Sequence, residues 1–185
     1  LADGAHFRFY EHVKRTFPEF FRGTKVLDVG SLDINGCNRP FFLECDYKGL
    51  DIGPGKNVDI VSLGHEYDAP DGFFDVVTSA NAFEHDIHFE KTFKNMLRML
   101  RSGGLFFFCC PGPGFPEHGT VRSEAWAAPH ISSKSDDWKS YYKNVEESQI
   151  RSFIDVDATF ERYQFEIYRY PNRVWTVLRF WGIKR

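Results

Sequence analysis

Five short apolar runs, separated by helical or loop stretches, set the strongest limit on how this chain can fold. They lie at residues 25–29, 47–52, 57–61, 73–79 and 105–110. Near-continuous apolar strands are buried on both faces, which is the condition of a parallel sheet covered by helices. The clearest helix spans 89–101, with Phe93, Met96, Leu97 and Leu100 on one face, and Ser102-Gly103-Gly104 reads as its C-terminal stop. Residues 164–170 and 174–183 are aromatic strands joined by Pro171-Asn172-Arg173, a hairpin-length link that implies an antiparallel pair. The pattern predicts an α/β fold with a mostly parallel, seven-stranded sheet, an antiparallel C-terminal hairpin and helices on both faces. Before the first strand, Phe7, Tyr10, Val13, Phe17 and Phe20/Phe21 recur at helical spacing, so residues 1–22 are expected to form a docked N-terminal helix.

A chain of 185 residues fits one domain spanning 1–185. With 20 Phe among them, the core is expected to be built on phenylalanine. The net charge of −3 and pI near 6.2 disfavour a nucleic-acid partner, whose binders are normally basic. The longest purely apolar run, 105–110, is far short of the ~20 residues a membrane helix needs. Asp3, His6 and Arg8 interrupt any apolar leader, and His6 and His12 read as surface positions of the first helix. Cys37, Cys45, Cys109 and Cys110 show no zinc or redox spacing, and the 109–110 pair reads as small buried residues of a reduced compartment. A cytoplasmic location is expected. A chain that begins at Leu1 is expected to be cut from a longer polypeptide.

The ligand-binding edge is legible at the strand ends. Val26-Leu27-Asp28-Val29-Gly30-Ser31 closes the first strand, and about 20 residues further on the second ends in Asp51. A carboxylate at that offset accepts ribose hydroxyls in nucleotide-binding α/β folds, and glycine in the first turn lets backbone approach a ligand. The Gly-x-Gly-x-x-Gly fingerprint is absent, which favours a nucleoside without phosphates. From 111 to 144 the periodicity vanishes over a stretch too long for a simple link and too aromatic for disorder. It is expected to be an ordered loop on the substrate side.

Taken together, VLDVGS, GLDIG, VDIVSLGHEYD, FDVVTSANAFEH and LRSGGLFFFCCPG resemble the five successive motifs of the class I S-adenosylmethionine-dependent methyltransferases. Within that family, DVGSLDINGCNRP, GFPEHG and DDWKSYY are similar to a subgroup of small methyltransferases found in glycan-biosynthesis settings, some fused to glycosyltransferases. The resemblance implies a Rossmann-like fold, S-adenosylmethionine as cofactor and S-adenosylhomocysteine as product. It also implies that Asp28, Gly30 and Ser31 hold the methionine end and that Asp51 takes the ribose. Ile52 and Leu63 would flank adenine, while Ala80 and Asn81 would line the sulfonium side.

An alcohol acceptor has a high pKa and benefits from a general base, most often histidine. His118, directly after the fifth strand, is the first candidate and His85 the competitor. Glu84, His85, Asp86 and His88 fit no standard metal spacing, so no metal ion is expected. Trp126, Trp138, Tyr141, Tyr142 and His130 are candidates to bind the acceptor, the aromatic rings either packing on sugar C–H faces or anchoring the loop. The reading is an O-methyltransferase acting on a sugar or glycan hydroxyl, with a rhamnose-like deoxysugar as one acceptor. The alternatives are a small phenol or polyketide acceptor, or a silent cofactor-binding partner subunit.

Overall fold

The computed structural model describes residues 4–131 and 134–185. Asp3, the start of the 1–22 segment, and positions 132–133 of the long loop lie outside the described residues. Seven strands form one sheet: β1 (Lys25–Val29), β2 (Asp46–Asp51), β3 (Ile60–Val61), β4 (Phe74–Ala80), β5 (Leu100–Pro111), β6 (Phe160–Arg169) and β7 (Thr176–Lys184). Their order is β3-β2-β1-β4-β5-β7-β6, with β3 through β5 parallel and β7 antiparallel to both neighbours. The chain therefore reverses direction across the sheet at β1 and β4, and such switch points are where open α/β sheets bind ligands.

β5 shows why the sheet sits at the centre. Successive side chains on a strand point to opposite faces. Phe106, Phe108 and Cys110 join Phe93, Phe83 and Phe180 on one side, whereas Leu105, Phe107 and Cys109 join Phe9, Tyr10 and Phe21 on the other. Phenylalanine supplies most of the largest fully buried side chains, as its abundance predicts. All four cysteines are free. The outer strand β6 is polar and largely exposed, which suits an edge that must not recruit another strand.

Among the described residues, five α-helices accompany the sheet: α1 (Gly4–Thr16), α2 (Phe89–Met99), α3 (Asp136–Lys139), α4 (Glu147–Arg151) and α5 (Val156–Thr159). None is long and apolar enough to cross a membrane. The N-terminal segment is not one helix to Phe21. A residue before proline is pushed out of the helical region, so Phe17 adopts φ −135° and a 3-10 turn, Pro18–Phe21, follows. Ser102-Gly103-Gly104 also differs from expectation. The helix ends at Met99, Leu100 is already extended, and Gly103 at φ +72° lies inside β5, where the register with β4 shifts. The glycines make a bulge in a strand rather than a helix cap. β3 keeps only two of the expected five residues. The β1–β2 connection carries a 3-10 turn, Arg39–Phe41, with no α-helix among its residues.

Candidate functional site

A cleft opens at the carboxyl ends of β1, β2 and β4. Asp28, Gly30, Ser31, Asp51, Ile52, Leu63, Ala80 and Asn81 all line it, so the eight cofactor positions expected from sequence come together. The turn after β1 is built around Gly30, whose φ of +80° favours glycine and where a Cβ would meet the Cβ of Ala82 at 2.2 Å. That contact presses the β1 turn against the segment after β4.

Asp28 is fully buried. The Tyr47 hydroxyl and the Asn38 amide (3.0 Å) donate to its Oδ2, while Oδ1 has no partner among the described residues. Burial, opposed by those two hydrogen bonds, pushes its carboxyl up to about 6. Asp51 Oδ2 accepts the backbone N–H of Leu32 at 3.0 Å, and burial raises this carboxyl too. Arg39 of the subgroup motif braces the loop from outside the cleft. It donates to Asn57 Oδ1 at 2.6 Å, pairs with Asp59 and stacks over the Tyr47 ring at 4.3 Å.

The base candidates separate in space. His85 follows β4 in a 3-10 turn, Phe83–His85, and lines the cleft. His118 is buried behind it and is not among the lining residues, with its ring 5.1 Å from that of His85. Both imidazoles face Glu84, which is fully buried: His85 Nε2 stands 3.8 Å and His118 Nε2 3.7 Å from Glu84 Oε1. Tyr142 closes the group, its ring 5.1 Å from His118 and 5.6 Å from His85. Burial pushes the His85 imidazole down to about 4, so it is neutral near pH 7. For Glu84 burial acts upward, but the neighbouring imidazoles outweigh it and hold the carboxyl below its ordinary value.

The long loop reaches this cluster because Gly119, at φ +67°, packs directly against the His85 ring, where a Cβ would stand 2.6 Å away. The Glu84 carbonyl accepts the N–H of Lys143 at 2.9 Å. Further along, residues 127–131 and Trp138 form one cleft wall. His130 packs on Gly53 next to Asp51, at the ribose end rather than beside the base candidates. Trp126 is 59% exposed and, like Tyr141, is not among the lining residues.

Sequence reasoning missed three positions. His6 is buried and lines the cleft, its Nε2 2.7 Å from Asn38 Oδ1, which corrects its reading as a surface residue. Its place at the polar edge of an amphipathic helix gave no sign of this. Asn38 and Tyr47, which hold Asp28, also went unread, because the contact joins a loop, a strand and a second strand. Glu84, His85, Asp86 and His88 do not assemble as a unit. Asp86 turns away to accept the N–H of His88 at 2.7 Å at the start of α2, and His118 takes its place beside Glu84 and His85.

Residues 5–169 match the family model described as a methyltransferase domain, and the chain belongs to that family. No curated protein matches the chain. Among solved structures, phosphoethanolamine N-methyltransferase 2 of Haemonchus contortus, in complex with S-adenosylmethionine, has 17% identity and a TM-score of 0.65. The match covers 96% of this chain and 52% of that one, so the chain spans about half the length of the nematode enzyme. The 1,6-didemethyltoxoflavin-N1-methyltransferase of Burkholderia thailandensis, with S-adenosylhomocysteine bound, has 14% identity and a TM-score of 0.67, covering 98% and 78%. The YcgJ protein of Bacillus subtilis has 14% identity and a TM-score of 0.61, covering 97% and 99%. These likenesses are of fold: a Rossmann-like methyltransferase sheet.

Proposed function

We propose that this chain transfers a methyl group from S-adenosylmethionine to a hydroxyl of a small polar acceptor, with a sugar or glycan hydroxyl as the first candidate. The cleft suits the donor. Asp28 presents an unpartnered buried carboxylate oxygen suited to a cationic amino group, and Asp51 stands at the end of β2 for ribose hydroxyls. Gly30 and Ser31 shape the turn between them, and Ile52 and Leu63 offer apolar flanks for the base. When bound, S-adenosylmethionine supplies a methyl carbon already activated by its sulfonium.

The protein's own task is to hold and activate the acceptor. The observation that carries the hydroxyl reading is the buried Glu84, His85 and His118 group, reached from the cleft through His85. A hydroxyl needs its proton removed, and a neutral imidazole backed by a carboxylate suits that work. β1 alone lies between β2, which ends in Asp51, and β4, which leads to His85, roughly 10 Å at ordinary strand spacing, which leaves room for the donor between them. His118 acts from behind His85 and orients the group. Trp138 offers an indole face to the acceptor, and the 111–144 loop sets specificity.

A second reading has its own support: the Haemonchus and Burkholderia structures are of N-methyltransferases. Mass spectrometry of a panel of sugars, phenols and small amines incubated with S-adenosylmethionine separates the two. A gain of one methyl on a hydroxyl, lowered roughly 10²–10⁴-fold in His85→Ala with donor affinity kept, is the expected result. Methylation of amines alone would overturn the hydroxyl assignment.

A further inference from the structure

The group behind the cleft has a feature that proton chemistry alone does not explain. His118 Nδ1 lies 3.1 Å from the carbonyl oxygen of Pro116. A carbonyl only accepts, so Nδ1 carries the hydrogen, and in the neutral ring Nε2 is left as a lone pair. Nε2 faces Glu84 Oε1 at 3.7 Å, beyond hydrogen-bonding distance. His85 Nε2 faces the same oxygen at 3.8 Å. Among the described residues, neither carboxylate oxygen of Glu84 has a hydrogen-bond partner, nor does His118 Nε2. All three residues are buried, Glu84 completely. An ionised carboxylate in that position costs several kcal/mol unless a positive charge meets it.

We propose that Glu84, His85 and His118 bind a first-row divalent cation of the zinc type. One ligand atom from each residue lies within 4.8 Å of the others, a spread that closes onto a single ion with small side-chain movements. Two imidazoles and one carboxylate are the three-ligand set of open zinc sites, which leave a position for water or substrate. The backbone carbonyl that fixes the His118 tautomer is the kind of outer contact that orients a metal-ligating histidine. Among the described residues, no lysine or arginine pairs with the Glu84 carboxylate. The ligands come from two distant parts of the chain, the segment after β4 and the loop after β5. Spacing within 84–88 alone therefore carries no signature of this ligand set.

Of the three ligands, His85 lines the cleft, so it is the member through which the site would meet an acceptor. Resting on the hydroxyl-methylation reading, the cation deepens it. With an ion bound, an acceptor hydroxyl that met it would become more acidic and give its proton to solvent, and His85 would then act through the ion as a ligand instead of as the base itself. Zinc binding itself does not depend on that reading.

The test uses untagged chain stripped with a chelator. Calorimetry with Zn²⁺ and visible spectra with Co²⁺ are run on the wild type, Glu84→Gln and His118→Gln. Melting temperatures show that each variant is folded. The expected result is one ion per chain, a low-symmetry Co²⁺ spectrum, and affinity lowered on the order of 100-fold or more in either variant. No binding by the wild type, or equal binding by both folded variants, overturns the site. Methyl transfer is assayed separately on the same samples. A wild type that binds the ion but methylates nothing leaves the cation site standing and counts against the proposed function. A metal-stripped wild type that methylates hydroxyls and binds no ion does the reverse.

Discussion

Asp28 gives the sharpest quantitative expectation, because its carboxylate is completely buried and the cause of its perturbation is burial. The carboxyl moves from an ordinary 3.8 to about 6. Raised affinity for a proton in the folded state means that the folded form gains stability when Asp28 is protonated. That contribution is fully present below pH 3.8 and is lost as pH rises through about 6. The size follows from about 1.4 kcal/mol per tenfold change in proton affinity, giving about 3 kcal/mol for this residue. Asp28→Asn keeps the shape, still accepts from the Tyr47 hydroxyl and cannot ionise. Urea unfolding of both proteins between pH 3.5 and 8 should therefore show the variant gaining on the wild type as pH rises. The gap should widen by about 3 kcal/mol between pH 4 and pH 7 and then level off. S-adenosylmethionine should narrow it at pH 7, since its amino group would meet the charged carboxylate. A stability difference that stays flat across this range would refute the reasoning, and one that runs the other way would mean Asp28 is stabilised as an anion.

Asp51→Ala should weaken S-adenosylmethionine binding by about 1–3 kcal/mol in calorimetry, and unchanged affinity would remove Asp51 from the site. Gly30→Ala places a side chain at φ +80° and 2.2 Å from the Ala82 Cβ, so it should cost at least about 1–3 kcal/mol of stability and impair donor binding. A variant as stable as the wild type would show that the turn is not held as described. Phe93, fully buried among Phe83, Phe89, Phe106, Phe108 and Phe153, should cost about 3–5 kcal/mol as Phe93→Ala in urea unfolding, with donor affinity kept in the folded protein. A loss under about 1 kcal/mol would mean that the α2 face packs loosely.

The sequence by itself determined most of the sheet and which strand-end residues meet at the cleft. Strand identity follows from hydrophobic periodicity, and the residues from Asp28 to Ser31, together with Asp51 and Ile52, sit at strand ends, where position along the chain nearly fixes position in space. Local sterics were only half legible. Pro18 ends the first helix short of Phe21, and glycines at 103–104 serve a bulge as readily as a cap, the choice resting on which partner strand is present. The tertiary structure alone decided what surrounds each charge. Asp28 is held by Asn38 and Tyr47, His6 reaches the cleft from the first helix, and His118 rather than Asp86 or His88 completes the group at Glu84. Each of these contacts joins positions 10 to 34 residues apart, and which of them meet is set by how loops cross the sheet edge. Periodicity carries no record of that crossing, because a loop residue's neighbours depend on the path of the backbone and on which buried polar atoms must find a partner.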